Sequence, residues 1–271
     1  MSAVLGRAIC IFEAWAYQLY KFALTIFFSI AVCFLVGWER QSSRDVYLDS
    51  VTDVRYQREV YEKAVLFLKE QNFSKAYEYF NQCSRDFPFA GVARKSLLMS
   101  AFVQYSAGKY QQAASLGEEY ITQYPESKNV DYVYYLVGMS YAQMIRDVPY
   151  DQRATKLMLQ YMSRIVERYT NSPYVKGARF YVTVGRNQLA AKEVEIGRYY
   201  LKRGEYVAAI PRFQLVLANY SDAEHAEEAM ARLVEAYVAL ALMDEAREVV
   251  SLIQERYPQG YWARYVETLV K

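Results

Sequence analysis

The stretch Gly108-Lys109-Tyr110-Gln111-Gln112-Ala113 returns ninety-six residues later as Gly204-Glu205-Tyr206-Val207-Ala208-Ala209. Two weaker copies flank them. Asn72-Phe73 is followed by Ala76, and Met243 stands three residues before Ala246. Phe73 to Tyr110 spans 37 residues, and Tyr206 to Met243 spans 37 again. Twelve residues after the alanine comes proline in three of the four copies, at Pro88, Pro125 and Pro258, each preceded by an aromatic residue (Phe87, Tyr124, Tyr257). The physical logic is that of a helix, a turn and a second helix. Glycine closes the first helix, because it adopts the left-handed backbone without penalty. The alanine lets two helices approach closely. The aromatic residues four positions on, Phe80 and Phe213, share its face. Proline stops the second helix and starts the next pair.

These features match the tetratricopeptide (TPR) pattern, whose usual unit is about 34 residues. Tyr134-x-x-Val137-Gly138-x-x-Tyr141 fits its first-helix signature with Tyr for Trp, Ile196-Gly197-x-x-Tyr200 fits it in a later unit, and Leu233 with Tyr237 keeps fragments of it. The spacing predicts an all-α chain with five helix pairs near 57–88, 91–125, 127–170, 173–221 and 222–258. The third carries an insertion from Arg146 to Arg153, and the fourth a first helix of roughly thirty residues, Tyr174 to Arg203. One pair cannot bury its apolar face alone, so the pairs stack into a TPR-like α-solenoid over 57–271 with a concave groove lined by first helices.

Composition agrees. Glycine (11) and proline (6) are scarce, hydrophobic residues make up 54%, and tyrosine is the outlier at 28, beside 13 Phe and 3 Trp. A net charge of +2 offers no nucleic-acid footprint. Of the cysteines, Cys10, Cys33 and Cys83, only Cys83 lies among the repeats, where it reads as a buried core residue. The lone histidine, His225, beside Glu224, Glu227 and Glu228, reads as a helix-surface residue. With one histidine, no CxxC pair and no catalytic constellation, the sequence implies no cofactor, no metal and no enzyme.

Before the repeats, residues 1–38 read as a signal or anchor segment. Phe22 to Gly37 is free of charge, Lys21 precedes it, and Trp38 follows as an interfacial anchor. Residues 39–56 are polar and aperiodic and read as a tether. Leu35-Val36-Gly37 has the form of a lipidation signal, but Trp38 stands where the modified cysteine is expected; Cys33, after Ile30-Ala31-Val32, is a poor substitute. Either way, residues after 40 are expected outside the cytoplasm.

From about residue 56 to 256 the chain resembles the BamD family, the TPR lipoproteins of the bacterial outer-membrane β-barrel assembly (BAM) machine. The resemblance rests on Tyr132-Val133-Tyr134-Tyr135-Leu136-x-Gly138, Arg146-Asp147 with Arg153, and Tyr169-x-Asn171-Ser172-x-Tyr174. It rests further on Leu189-Ala190-x-Lys192-Glu193-x-Glu195-Ile196-Gly197-x-Tyr199-Tyr200 and Gly204-x-Tyr206-x-Ala208-Ala209-Ile210-x-Arg212. It implies a non-catalytic scaffold on the periplasmic face of the outer membrane. Its C-terminal repeats would grip the periplasmic domains of a BamA-like barrel-forming protein, beside other BAM subunits. Its N-terminal repeats would receive the apolar, aromatic C-terminal strand of unfolded barrel substrates. On that reading Arg212, Arg186 and Lys192 are the candidates for the BamA-like partner, and Tyr56, Tyr61 and Tyr105 for the substrate groove, while Arg146, Asp147 and Arg153 brace the insertion against itself. Two other readings are open to the sequence. An adaptor resembling the TolA-binding protein would usually carry an N-terminal coiled coil, and no sustained heptads occur. An enzyme or metal protein on a helical scaffold would need residues that the chain lacks.

Overall fold

A computed structural model describes residues 54–87 and 91–270; the anchor reading at 1–38, with Cys33 and Trp38, and the tether up to 53 lie outside the described residues. The compact unit considered below begins at Val60. Eleven helices are described. They are α1 (54–69), α2 (Phe73–Asp86), α3 (Gly91–Ser106), α4 (Tyr110–Gln123), α5 (Val130–Ala142) and α6 (Arg153–Arg168). Then follow α7 (Val175–Lys202), α8 (Tyr206–Asn219), α9 (Ala226–Ala239), α10 (Met243–Arg256) and α11 (Tyr261–Val270). From α2 on, each helix packs on the next, and first helices also touch the first helix of the following pair, as α3 touches α5 and α7 touches α9. The result is an all-α, TPR-like solenoid. The sequence placed the tether's end at 56, but residues 54–56 are already helical. No described helix is long and apolar enough to cross a membrane.

The turn within a pair is the same four times over. Gly108 and Gly204 take φ +74°, and Gln71 and Ala241 occupy the equivalent positions at φ 58° and 59°. In each, the next backbone N–H returns to a carbonyl five residues earlier: Asn72 to Phe67, Lys109 to Gln104, Glu205 to Tyr200, Leu242 to Tyr237, at 2.8–3.0 Å. This closure satisfies carbonyls the helix end would leave bare. An aromatic residue ends every second helix, at Phe87, Tyr124, Tyr169, Tyr220 and Tyr257. The proline the sequence relied on is thus a less constant marker than the residue before it.

Ala76, Ala113, Ala209 and Ala246 are all fully buried. The third pair has Met158 at the corresponding position, also fully buried. Room for it comes from Gly185 of α7, where a Cβ would lie 2.6 Å from the Met158 methyl carbon. The same exchange of volumes recurs one turn further along. A Cβ on Gly138 would lie 2.7 Å from Cε of Met162, and one on Gly197 would lie 2.5 Å from Cε1 and Cζ of Phe213. Ala64 and Phe80 share the first pair's core in the same relation. Small residues on one helix therefore seat large ones on its partner, the interdigitation that close packing demands.

Two features exceed the sequence reading. The long helix α7, 28 residues and about 42 Å, packs on α6 with its first half and on α8 with its second, so one helix serves two pairs. Beyond the fifth pair, α11 covers α9, burying Ala263 and Val266. Its first-turn amides, Trp262 N–H and Ala263 N–H, donate to Glu227 Oε1 at 3.0 and 3.2 Å, a cap supplied by another helix. Tyr261-Trp262-x-x-Tyr265-Val266 carried the signal for this helix in its apolar spacing. As expected, Cys83 is buried; His225 sits at the N-cap of α9.

Candidate partner-binding surfaces

In each first helix the positions three before, one after and four after its central small residue share one side. In the first three pairs these are Tyr61, Val65 and Leu68, then Leu98, Phe102 and Tyr105, then Tyr135, Met139 and Ala142, with Tyr132 one turn before Tyr135. All are half-buried, so an apolar strip runs across three first helices without being sealed into the core.

Its densest part is a tyrosine patch drawn from α3, the first residue of α4, α5 and the N-terminal end of α7. Tyr135 stacks on Tyr174 at 5.1 Å between ring centres, Tyr132 lies 5.5 Å from Tyr174, and Tyr105 meets Tyr110 edge-on at 5.5 Å. Gly177 leaves the space the Tyr135 phenol fills. Burial, and then the neighbouring Tyr174 and Tyr105, push the Tyr132 phenol up to about 12. Burial raises Tyr105 and Tyr135 as well, followed by Tyr110 and Tyr181 around the first and Tyr181, Tyr105 and Tyr174 around the second. Of the three groove residues expected from sequence, Tyr105 belongs to this patch. Tyr61 packs edge-on against Phe80 at 5.3 Å inside the first pair. Tyr56, 45% exposed, precedes Val60 and belongs to the other unit. Tyr132, Tyr135, Tyr174 and Tyr181 also belong to the patch and were not singled out from sequence, since a helix register alone does not separate a half-covered ring from a core one.

A second tyrosine group is structural. Glu118 Oε1 accepts from the Tyr141 hydroxyl at 2.7 Å and from the Tyr161 hydroxyl at 2.9 Å, tying α4, α5 and α6 together. Burial, and then the bond to Glu118, lifts the Tyr141 phenol to about 12 and raises Tyr161 further.

The three cations expected to face a partner are distributed as follows. Arg212 on α8 reaches Glu193 on α7 at 3.2 Å and stays 40% exposed. Arg186 grips the Asp222 carboxylate, donates to the Asn219 carbonyl at 2.9 Å and lies over the Tyr220 ring, closing the C-terminal end of α8. The arginine holds Asp222 below the usual carboxylate range. Burial and then Glu193 raise the Tyr220 phenol while Arg186, 5.7 Å from its ring centre, lowers it, which puts Arg186 and the Glu193–Arg212 pair around one tyrosine. Lys192 lies apart from it: its ammonium donates to the Pro149 carbonyl at 2.7 Å, and Gln188 donates to the Arg146 carbonyl at 2.9 Å, fastening the insertion to α7. Within the insertion, buried Gln152 donates to the Asp147, Val148 and Tyr150 carbonyls and accepts from Thr155. Arg146 lies over Tyr150. The insertion is braced as expected, but by Gln152 and α7 rather than by the side chains of Asp147 and Arg153.

The sequence pattern of the YfiO family, described as "Outer membrane lipoprotein", matches residues 53–252. The chain belongs to this family. Among curated relatives, one from Caulobacter vibrioides named outer membrane protein assembly factor BamD is 35% identical over 195 residues, which make up 72% of this chain. The match covers 64% of that relative, somewhat less than two thirds of its length. A Rickettsia prowazekii protein of the same name is 32% identical over 78% of this chain and 84% of its own. A Xylella fastidiosa one is 29% identical over 78% of each. Solved TPR structures align at lower similarity, among them the yeast Sti1 TPR2AB domain, at 14% identity over 80% of this chain with a TM-score of 0.38.

Proposed function

We propose that this YfiO-family chain is an outer-membrane protein assembly factor, the name its relatives carry, and that it acts by binding rather than by chemistry. The observation that carries the reading is the apolar strip along the first three pairs, with the tyrosine patch at its densest point. Aromatic rings there are half-exposed, held in place by one another, and so present contact area at little conformational cost. An unfolded barrel substrate ending in an apolar, aromatic strand has the matching chemistry. The chain sits on the periplasmic face of the outer membrane, held by its N-terminal segment. Its fourth and fifth pairs bind a BamA-like protein through the neighbourhood of Arg212, and other BAM subunits join them.

Arg212 already has an internal partner, so its test must separate packing from contact. Binding of residues 45–271 to the periplasmic domains of the BamA-like protein is measured for the wild type, Arg212→Glu, and the swap Arg212→Glu/Glu193→Arg. Arg212→Glu should weaken binding at least tenfold, about 1.4 kcal/mol. The swap restores the internal pair but leaves an acid at position 212, so binding should stay weak. Recovery in the swap would make Arg212 a packing residue and move the interface elsewhere.

A further inference from the structure

The first half of α7 carries a surface that the assembly reading does not use. Lys176, Phe180 and Val184 follow at four-residue spacing, with Arg179 and Thr183 in the row beside them, and all five are exposed. Phe180 is 62% and Val184 39% exposed, and Phe180 is braced edge-on by Tyr181 at 5.4 Å. From Val175 to Lys192 the helix has four cations and no carboxylate. Arg186 and Lys192 are taken up by Asp222 and the Pro149 carbonyl. Neither Lys176 nor Arg179 has a carboxylate within ion-pair distance among the described residues.

Helix stability does not account for these charges. A cation in the first turn opposes the helix dipole. Asp131 in α5, Glu227 and Glu228 in α9, and Asp244 and Glu245 in α10 put the favourable sign in that place; α7 has Lys176 there, as α2 has Lys75 and α6 has Arg153. A bilayer is a poor match, because adsorption to anionic lipid draws on clusters of about four to eight cations and only two are free here. A pair of cations flanking a rigid, exposed aromatic anchor fits a protein segment better.

We propose that Lys176, Arg179, Phe180 and Val184 form a docking surface for an acidic, apolar segment of a second cell-envelope protein, a contact distinct from the Arg212 neighbourhood. Phe180 and Val184 receive the segment's apolar side chains, and its carboxylates pair with Lys176 and Arg179.

The test uses the full-length, membrane-bound chain in intact cells, with Phe180 replaced by the photoreactive p-benzoylphenylalanine and the adducts mapped by mass spectrometry. The expected result is a protein adduct within a segment carrying both acidic and apolar residues. Lys176→Glu/Arg179→Glu should lower its yield at least about fivefold with an unchanged helical circular dichroism spectrum, and Arg212→Glu should not lower it. Adducts confined to lipid, adducts on the C-terminal strands of barrel substrates, no adduct, or a yield indifferent to charge reversal would each overturn the proposal. Loss of the Arg212-dependent binding with this adduct intact would overturn the assembly interface alone.

Discussion

Gly197→Ala is the sharpest test of how the pairs are built. Gly197 is buried on α7 against the ring of Phe213, itself fully buried on α8. An added methyl carbon would lie 2.5 Å from Cε1 and Cζ and 3.0 Å from Cδ1. Carbon atoms rest at about 3.5–4.0 Å, so the ring or the helix must retreat by about 1 Å. The ring has little freedom, because Ala190, Val194, Ala209 and Val216 share its cluster. Alanine for glycine inside a helix gains about 1 kcal/mol from backbone propensity alone, whereas overpacking a tight core costs about 1–3 kcal/mol. A net loss of about 1 kcal/mol is expected. Gly91, with nothing within 4 Å of its would-be Cβ, is the control, where alanine should gain about 0.5 kcal/mol. In a Phe213→Leu background the obstructing ring edge is gone, so Gly197→Ala should become neutral or stabilising, a coupling of about 1–2 kcal/mol. Urea denaturation followed by circular dichroism gives the stabilities, and hydrogen exchange shows whether the loosening is confined to α7 and α8. If Gly197→Ala stabilises as much as Gly91→Ala, or costs the same in both backgrounds, the volume exchange does not govern the pairing.

Three further outcomes are expected from the same structure. Glu227→Ala removes the carboxylate that caps α11 and should destabilise that helix by about 1 kcal/mol, seen as faster amide exchange in Tyr261–Val270 while α2 to α6 are unaffected; uniform exchange would contradict it. Ala241 holds φ 59° where two sister turns have glycine, so Ala241→Gly should raise stability by about 0.5–1 kcal/mol in denaturant titration, and a loss would mean the turn is not strained. Tyr132 and Tyr141 have phenols raised from 10.0 to about 12, both chiefly by burial. Their neutral form therefore supports the fold fully below pH 10, and that support is lost as pH rises to about 12. Phenolate absorbance should show a late-titrating group of tyrosines whose ionisation coincides with loss of helix, and a single titration at ordinary phenol values would refute the burial.

The repeat was legible because its punctuation is chemical. Gly108 and Gly204 mark left-handed turns, and Ala76, Ala113, Ala209 and Ala246 mark close helix contacts; both are demands of backbone and volume that one residue type meets best. The same rule failed where another residue meets the demand. Gln71 and Ala241 make the glycine's turn, and Met158 takes the alanine's place because the relief lies in Gly185, on the next pair's helix. The unusual length of α7 showed in its uninterrupted helical pattern, but its service to two pairs is a matter of packing. The candidate surface was legible only in kind. An excess of tyrosine announced an aromatic protein, yet Tyr141 and Tyr161 anchor on Glu118 while Tyr132 and Tyr135 line the strip. What separates them is a carboxylate on a helix twenty-three residues away from the nearer one.

The register shared by the first helices also distinguishes the first three pairs from the last two. In the first three pairs it carries Tyr61, Leu98, Phe102, Tyr105, Tyr132 and Tyr135. In the fourth and fifth the same positions are Val194, Arg198 and Leu201, then Ala231, Glu235 and Val238, with Glu228 one turn before Ala231, so charge enters among apolar residues at Arg198, Glu228 and Glu235. Those charges are not free. Glu228, 7% exposed, is clasped by Arg198 and approached by Arg232 at 3.5 Å. Arg232 in turn bonds Glu235 and lies over the Trp262 ring at 4.7 Å. A buried ion-pair network of this kind is no stronger than well-packed hydrocarbon, so stability alone does not call for it. What it does is join α7 to α9 through directional bonds, reach α11 through the Arg232 guanidinium over the Trp262 ring, and interrupt the apolar strip with charge after the third pair. The solenoid, uniform in its turns and helix contacts, thus carries only apolar and tyrosine side chains at these positions in its first three pairs and sets ion-paired charges among them in its last two.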